Sequence, residues 1–293
     1  MDPAFKIDFI GIGAAKAGTT WLGHVLAEHP QICMSEPKEV HFFNDRIAFR
    51  HPIMKPNFTK GISWYKKYFL HCAPGKIKGE ITPRYSIDTA APQRIHEHNP
   101  DVKIFYCLRH PVDRIESHYN FSRYFVRKED RTLDQAIREE PEYLDMSMYS
   151  TNLNRYLAFF PLEQFCFVWF EDIEKRPAEV LKSVYQFLGV EPDFEPPSMN
   201  KKSNPGRASR SIGFQFFTRR VMYLLIRFGF SGMIHKLKRT RIKDWVMRWN
   251  SKPFSKEKMS PDTKAFVIRH IQDDVRHLER VLKKDLSHWL QSP

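Results

Sequence analysis

A lysine set inside a glycine-rich turn is the first feature of this sequence able to do chemistry. The segment Gly11 to Leu22 reads GIGAAKAGTTWL, with an apolar, β-favouring run before it (Phe5 to Gly13) and a helix-compatible stretch after it (Thr19 to His29). Strand, glycine loop and helix in that order present free backbone N–H groups at a helix start, where they bind an anion such as phosphate. Spacing narrows the chemistry. Counting G-x-x-x-x-G from Gly13 to Gly18 puts Thr19 where a Walker A loop carries its lysine, and the only lysine, Lys16, lies within the loop. Triphosphate hydrolysis is thereby disfavoured, and Lys16 is placed to meet negative charge developing on a leaving oxygen. The plain alternative is a Gly/Ala-rich turn whose lysine points to water.

The segment resembles the 5′-phosphosulfate loop of sulfotransferases that use 3′-phosphoadenosine 5′-phosphosulfate (PAPS). That loop has a K-T-G-T-T core; here it runs Lys16-Ala17-Gly18-Thr19-Thr20, and Ala17 lacks one hydroxyl. The resemblance assigns Lys16, Ala17, Gly18, Thr19, Thr20 and the adjoining Trp21 to the donor, with 3′,5′-adenosine bisphosphate (PAP) as product and no metal. It further implies an Arg at a strand end and a Ser on the next helix for the 3′-phosphate. In VKIFYCLRHPVDRIESHY these are Arg109 and Ser117, able to converge on one phosphate; alone, Arg109 would be read as pairing with a local acid such as Asp113. The basic loop Lys201-Lys202-Ser203-Asn204-Pro205-Gly206-Arg207 is similar, more loosely, to the family loop that closes on the 3′-phosphate and adenine. Lys202 and Arg207 are its implied contacts, with a solvated lysine cluster as the alternative.

Sulfuryl transfer to a hydroxyl or amine needs a base near the donor loop. Lys38-Glu39-Val40-His41-Phe42-Phe43-Asn44 resembles the K-E-x-x-F-F segment of the heparan-sulfate-type branch, in which the Glu is the catalytic base, so Glu39 is the implied base. His41 is the rival, since other branches use a histidine and its free pKa suits the task. In an extended segment residues two apart share a side, so both can approach the site. Lys38 is a candidate for neutralising the sulfuryl oxygens. Without the resemblance, Glu39 would be a surface carboxylate paired with Lys38 or Arg46. Gly79-Glu80-Ile81-Thr82-Pro83-Arg84-Tyr85-Ser86 resembles the family's E-K-x-P-x-Y cleft wall, making Arg84 and Tyr85 candidate acceptor contacts or rim residues.

These residues must be carried by a sheet. Lys78 to Thr82, Val102 to Leu108 and Phe165 to Phe170 read as further strands, Ala91 to His98 as a helix, and another helix opens at Pro111, a proline tolerated at a first helical position. Pro177 to Leu188 is an amphipathic helix ending at Gly189. Strands without alternation, separated by helices, predict a parallel sheet covered on both faces: one three-layer α/β domain of the P-loop-like kind. The α/β core is expected over 5–200, a basic loop and helical lid-like region over 201–260, and over 261–293 a C-terminal helix, Pro261 to Leu282, packing on the core.

With 293 residues the chain can bury a sizeable core without staples. Cys33, Cys72, Cys107 and Cys166 show no C-x-x-C spacing and form no metal set with the histidines, so they read as reduced packing residues. The most apolar early run, Phe9 to Ala15, is too short for a signal peptide, and no stretch approaches a membrane span, so a cytoplasmic protein is expected. From Lys201 to Asn250 thirteen Lys and Arg face one acid, Asp244, which concentrates twelve of the thirteen net positive charges there. This stretch suits an acidic or carrier-bound acceptor, or membrane-surface contact through 207–250, besides ordinary amphipathic helices with a solvated face. A nucleotide kinase or NTPase is weakened by the displaced lysine. A nucleic-acid-binding protein is not expected, because no recognition motif accompanies the basic stretch. The acceptor class, whether glycan, lipid, small molecule or carrier-bound acyl chain, stays open.

Overall fold

The computed structural model describes residues 5–48, 51–52, 56–126, 129–201, 207–209, 251–253 and 255–291. Five strands make the central sheet: β1 (Phe9–Gly13), β2 (Ile32–Met34), β3 (Ile77–Ile81), β4 (Lys103–Leu108) and β5 (Phe165–Trp169). They lie in the order β2-β3-β1-β4-β5, every neighbouring pair parallel. All five residues of β1 are buried, as are the last five of β4. Continuous burial is what a strand covered on both faces requires, and it explains why these runs show no alternation.

The helices used below are α1 (Thr19–Glu28), α2 (Ala91–His98), α3 (Pro111–Phe121), α4 (Tyr149–Leu157), α5 (Phe170–Lys175), α6 (Pro177–Leu188) and α7 (Pro261–Leu282). The predicted α2, α6 and α7 match their expected bounds. Gly189 closes α6 in the left-handed conformation, where glycine carries no side-chain penalty. Ser260 caps α7 by accepting the Thr263 N–H at 3.2 Å. α7 contributes Val267, Ile271, Val275 and Leu278 to the buried core, and one contact ties it to α4. The buried Asp274 carboxylate accepts the N–H groups of Ser150 at 2.8 Å and Thr151 at 2.7 Å, so a side chain from α7 caps the start of α4.

The cysteine expectation is corrected in part. Cys33, on β2, and Cys72 form a disulfide with a Cα–Cα distance of 5.7 Å, while Cys107 and Cys166 are free. Folding brings together residues 39 apart, a separation that carries no motif. The helical region expected within 201–260 lies largely outside the described residues; two short strands near its ends, Arg207–Ser209 and Ser251–Pro253, pair antiparallel.

Topology gathers the candidate residues. Residues 14–18 leave the C-terminal end of β1, 35–44 follow β2, 82–87 follow β3, Arg109 follows β4, and Phe170 follows β5. In an open parallel sheet that edge is where a ligand crevice forms.

Candidate active site

The loop after β1 turns into α1 at Gly18, whose φ is +94°. The backbone therefore favours glycine, and a Cβ there would lie 2.6 Å from Ile173 Cδ1 on α5, a side-chain tip that would have to turn aside. Ala17 is wholly buried and Thr19 nearly so, while Thr20 is half-buried. Trp21 is buried, and its indole N–H donates to the Met199 carbonyl at 2.8 Å. The indole thus ties α1 to the chain leading into the basic loop.

Lys16 itself has left-handed backbone, φ 71°. Its carbonyl accepts Arg109 Nη1 at 3.2 Å, and its ammonium lies 4.0 Å from the centre of the Phe121 ring. Its pKa falls from 10.5 to about 8: burial is the main cause, Arg109, Lys256 and Arg114 push the same way, and Glu39 pulls it back. Two segments expected to bind anions are therefore joined directly through Lys16 and Arg109.

The Arg109 guanidinium lies 4.2 Å from the Phe170 ring centre, and the Arg109 carbonyl accepts the Tyr149 hydroxyl at 2.8 Å. Its Nε is buried with no hydrogen-bond partner among the described residues. A buried cationic donor without an acceptor fits a site that takes up an anion. Ser117 sits half-exposed on α3, and no hydrogen bond joins it to Arg109. Lys202 lies outside the described residues; Arg207 is described only as backbone in its short strand.

Residues 38–44 form a strap that follows β2 at the C-terminal edge of the sheet. Glu39 Oε1 pairs with Lys38 Nζ at 2.9 Å, and Glu39 Oε2 lies 3.8 Å from His41 Nε2. The surface pairing weighed for Glu39 is thus present, yet the same carboxylate also acts on Lys16. Glu39 and His41 do come together, though not by extended backbone: their φ angles are 68° and 55°. Burial holds the His41 imidazole below its ordinary pKa, against the pull of Glu39. Gly23 on α1 gives the Lys38 stem room, since a Cβ there would lie 3.1 Å from Lys38 Cε.

The cleft-wall expectations change. Tyr85 is wholly buried; its hydroxyl donates to Glu80 at 2.8 Å and accepts the Phe42 N–H at 2.9 Å, so it faces the strap's interior rather than an acceptor. Arg84 forms a 2.7 Å ion pair with Glu142, both largely buried. The short-range sequence pattern could not show either partner. Glu80 stands in the quoted cleft-wall segment with no role attached to it, and Lys256, in a lysine-rich stretch far along the chain, carries no sequence signal at all.

The family described as "Sulfotransferase domain" matches residues 6–204. Heparan sulfate glucosamine 3-O-sulfotransferase 5 of Mus musculus is 27% identical over 235 residues, 76% of this chain and 63% of the relative. Heparan sulfate glucosamine 3-O-sulfotransferase 6 of Homo sapiens is 30% identical over 190 residues, 61% of this chain and 51% of the relative. The matches thus span between about half and two thirds of these relatives' length. The crystal structure of a sulfotransferase from Alicyclobacillus acidocaldarius shares the fold, with a TM-score of 0.69 at 24% identity over 98% of this chain and 100% of that one. With a match over this much of its length, the chain belongs to the sulfotransferase domain family.

Proposed function

We propose that this chain transfers the sulfuryl group of PAPS to a hydroxyl or amine of an acceptor. The observation that carries the reading is the Arg109–Lys16 hydrogen bond at 3.2 Å, beside the Glu39 carboxylate that acts on Lys16. It joins the two segments read as anion anchors, at the sheet edge that also carries the residue read as the base. Three of the four non-glycine residues with left-handed backbone among those described are Lys16, Glu39 and His41. Such strain persists where surrounding contacts enforce it, which is characteristic of functional sites.

The residues fit the donor. The loop at 14–18 and the start of α1 would hold the 5′-phosphosulfate, and Arg109, whose Nε is buried without a partner among the described residues, would hold the 3′-phosphate with Ser117. Lys202 and Arg207 would close on the adenine side. PAPS when bound supplies an activated sulfuryl group. Lys16 donates to the oxygen on which negative charge grows. Glu39 takes the acceptor proton, and Lys38 holds its carboxylate at 2.9 Å. Among the described residues, Arg84 already serves an internal ion pair with Glu142.

The names of the relatives support a glucosamine acceptor as the first to test. The basic stretch supports an acidic or carrier-bound acceptor docking there, with affinity falling as salt rises. The kinase and nucleic-acid alternatives draw no support from the family match. No helix of the described residues is long and apolar enough to cross a membrane. The Cys33–Cys72 disulfide favours an oxidising compartment over the cytoplasm. The decisive experiment combines calorimetry of PAP binding with a sulfate-transfer screen over amino sugars, phenols, amines, lipids and carrier-bound acyl chains. PAP binding lost in Lys16→Ala and Arg109→Ala, and transfer lost in Glu39→Gln, are expected. No PAP binding by the wild type, or turnover of ATP with magnesium, would sink the reading; full transfer by Glu39→Gln would move the base to His41.

A further inference from the structure

Glu80 is wholly buried at the end of β3, and the chemistry above makes no use of it. Its carboxylate accepts four hydrogen bonds. Oε1 takes the hydroxyls of Tyr65 at 2.7 Å and Tyr85 at 2.8 Å; Oε2 takes the Thr82 hydroxyl at 2.8 Å and the Val40 N–H at 3.3 Å. Burial pushes its pKa up, and the four donors oppose that rise. A carboxylate with four donors has no room for a proton of its own without displacing one of them.

Two of these links end on the strap. Val40 N–H bonds Glu80 directly. The Tyr85 hydroxyl accepts the N–H of Phe42 at 2.9 Å, so its single hydrogen is committed to Glu80. Glu39 and His41 have left-handed backbone; the N–H groups of Val40 and Phe42 beside them carry these bonds, Phe43 N–H lies 3.4 Å from the same Tyr85 hydroxyl, and Asn57 Nδ2 donates to the Val40 and His41 carbonyls at 3.3 and 3.1 Å. Left-handed backbone costs about 1–2 kcal/mol for each residue with a Cβ, so the strap needs an external anchor to keep this shape. Phe42 gives it a second hold, its ring stacked 4.5 Å from that of Tyr65.

We propose that Glu80, through the Val40 N–H and the Tyr85 hydroxyl, is a positioning residue that fixes the backbone carrying Glu39 and so the placement of that carboxylate. This rests on the reading of Glu39 as the base. It also accounts for a buried carboxylate and two buried tyrosine hydroxyls that the fold alone could replace with apolar groups.

Tyr85→Phe and Tyr65→Phe form the test, because each removes one hydroxyl from the same Glu80 oxygen and only Tyr85 also bonds the strap. Tyr85→Phe is expected to lower kcat by about 10- to 100-fold, the scale of a small displacement of a reacting group, with KM for PAPS and PAP affinity unchanged. Tyr65→Phe should lose comparable thermal stability and keep its kcat. Glu80→Gln, which sets amide hydrogens against these donors, should reproduce the Tyr85→Phe split wherever it folds. Equal kcat in the two tyrosine variants, or a loss of PAP affinity alongside kcat, would overturn the inference while Glu39→Gln remained inactive. Wild-type turnover in Glu39→Gln would remove the base and this role for Glu80 together.

Discussion

The ammonium of Lys16 lies 4.0 Å from the centre of the Phe121 ring, an aromatic face standing where water would otherwise solvate the charge. The ring compensates only part of the lost hydration. Burial, then Arg109, bring the Lys16 pKa down to about 8 despite the opposing pull of Glu39. An amine is charged below its pKa and neutral above it. The Lys16 charge, proposed above to meet the leaving oxygen, is therefore present in acid and lost as pH rises through about 8. kcat/KM for PAPS, which reports the free enzyme, should fall with a limb near that pH. Lys16→Arg should carry the limb beyond the measured range, because guanidinium does not titrate there. Lys256→Ala removes a repelling charge and should move the limb upward. A limb unchanged in Lys16→Arg would assign it to another group.

Arg109 does two things a lysine cannot. Nη1 reaches the Lys16 carbonyl at 3.2 Å, and the planar group lies 4.2 Å from the Phe170 ring centre, leaving Nε for an anion. Arg109→Lys should weaken PAP binding by about tenfold or more, the scale of a lost hydrogen bond to a charged group. Adenosine 5′-phosphosulfate, which lacks the 3′-phosphate, should lose little. Equal losses for both ligands by calorimetry would place Arg109 elsewhere on the nucleotide.

Local pattern revealed what local chemistry decides. The bounds of α2, α6 and α7 follow from proline and glycine signals and from apolar spacing, without the wider fold: Pro92, Pro177 and Pro261 stand in first turns and Gly189 ends α6. Gly18 and Lys16 are legible as a glycine turn between strand and helix because that turn is contiguous. Three features were not. β2 has only three residues, too few for any period to show. Cys33 and Cys72 meet only because β2 and the chain ahead of β3 fold together. Tyr85 looked like a rim residue because its partners, Glu80 and Phe42, are fixed by strand order rather than by spacing.

The disulfide closes the chain over the whole strap, since residues 38–44 fall between Cys33 and Cys72. A loop with a sequence separation of 39 restricts the unfolded chain enough to contribute about 4 kcal/mol in the chain-entropy account. Reductant, or Cys72→Ser, should lower Tm accordingly. Thiol titration of the denatured, unreduced protein should find Cys107 and Cys166 alone. Four titrating thiols, or a Tm indifferent to reductant, would show that the bond does not form.

Gly18→Ala tests the loop against a control on the same chain. Gly18 and Gly189 both have left-handed backbone, with φ of +94° and +77°, so alanine at either should cost about 1–2 kcal/mol in backbone strain. Their surroundings differ. A Cβ on Gly189 meets nothing within 4 Å, whereas on Gly18 it presses on Ile173 Cδ1 at 2.6 Å. The Ile173 tip can turn to relieve that contact, but the backbone strain at position 18 falls on the turn itself and displaces the backbone N–H groups at the start of α1. Gly189→Ala should therefore lower Tm and leave PAP binding intact, while Gly18→Ala should lower Tm and weaken PAP binding as well. Undiminished PAP affinity in Gly18→Ala would show that the donor does not depend on this turn.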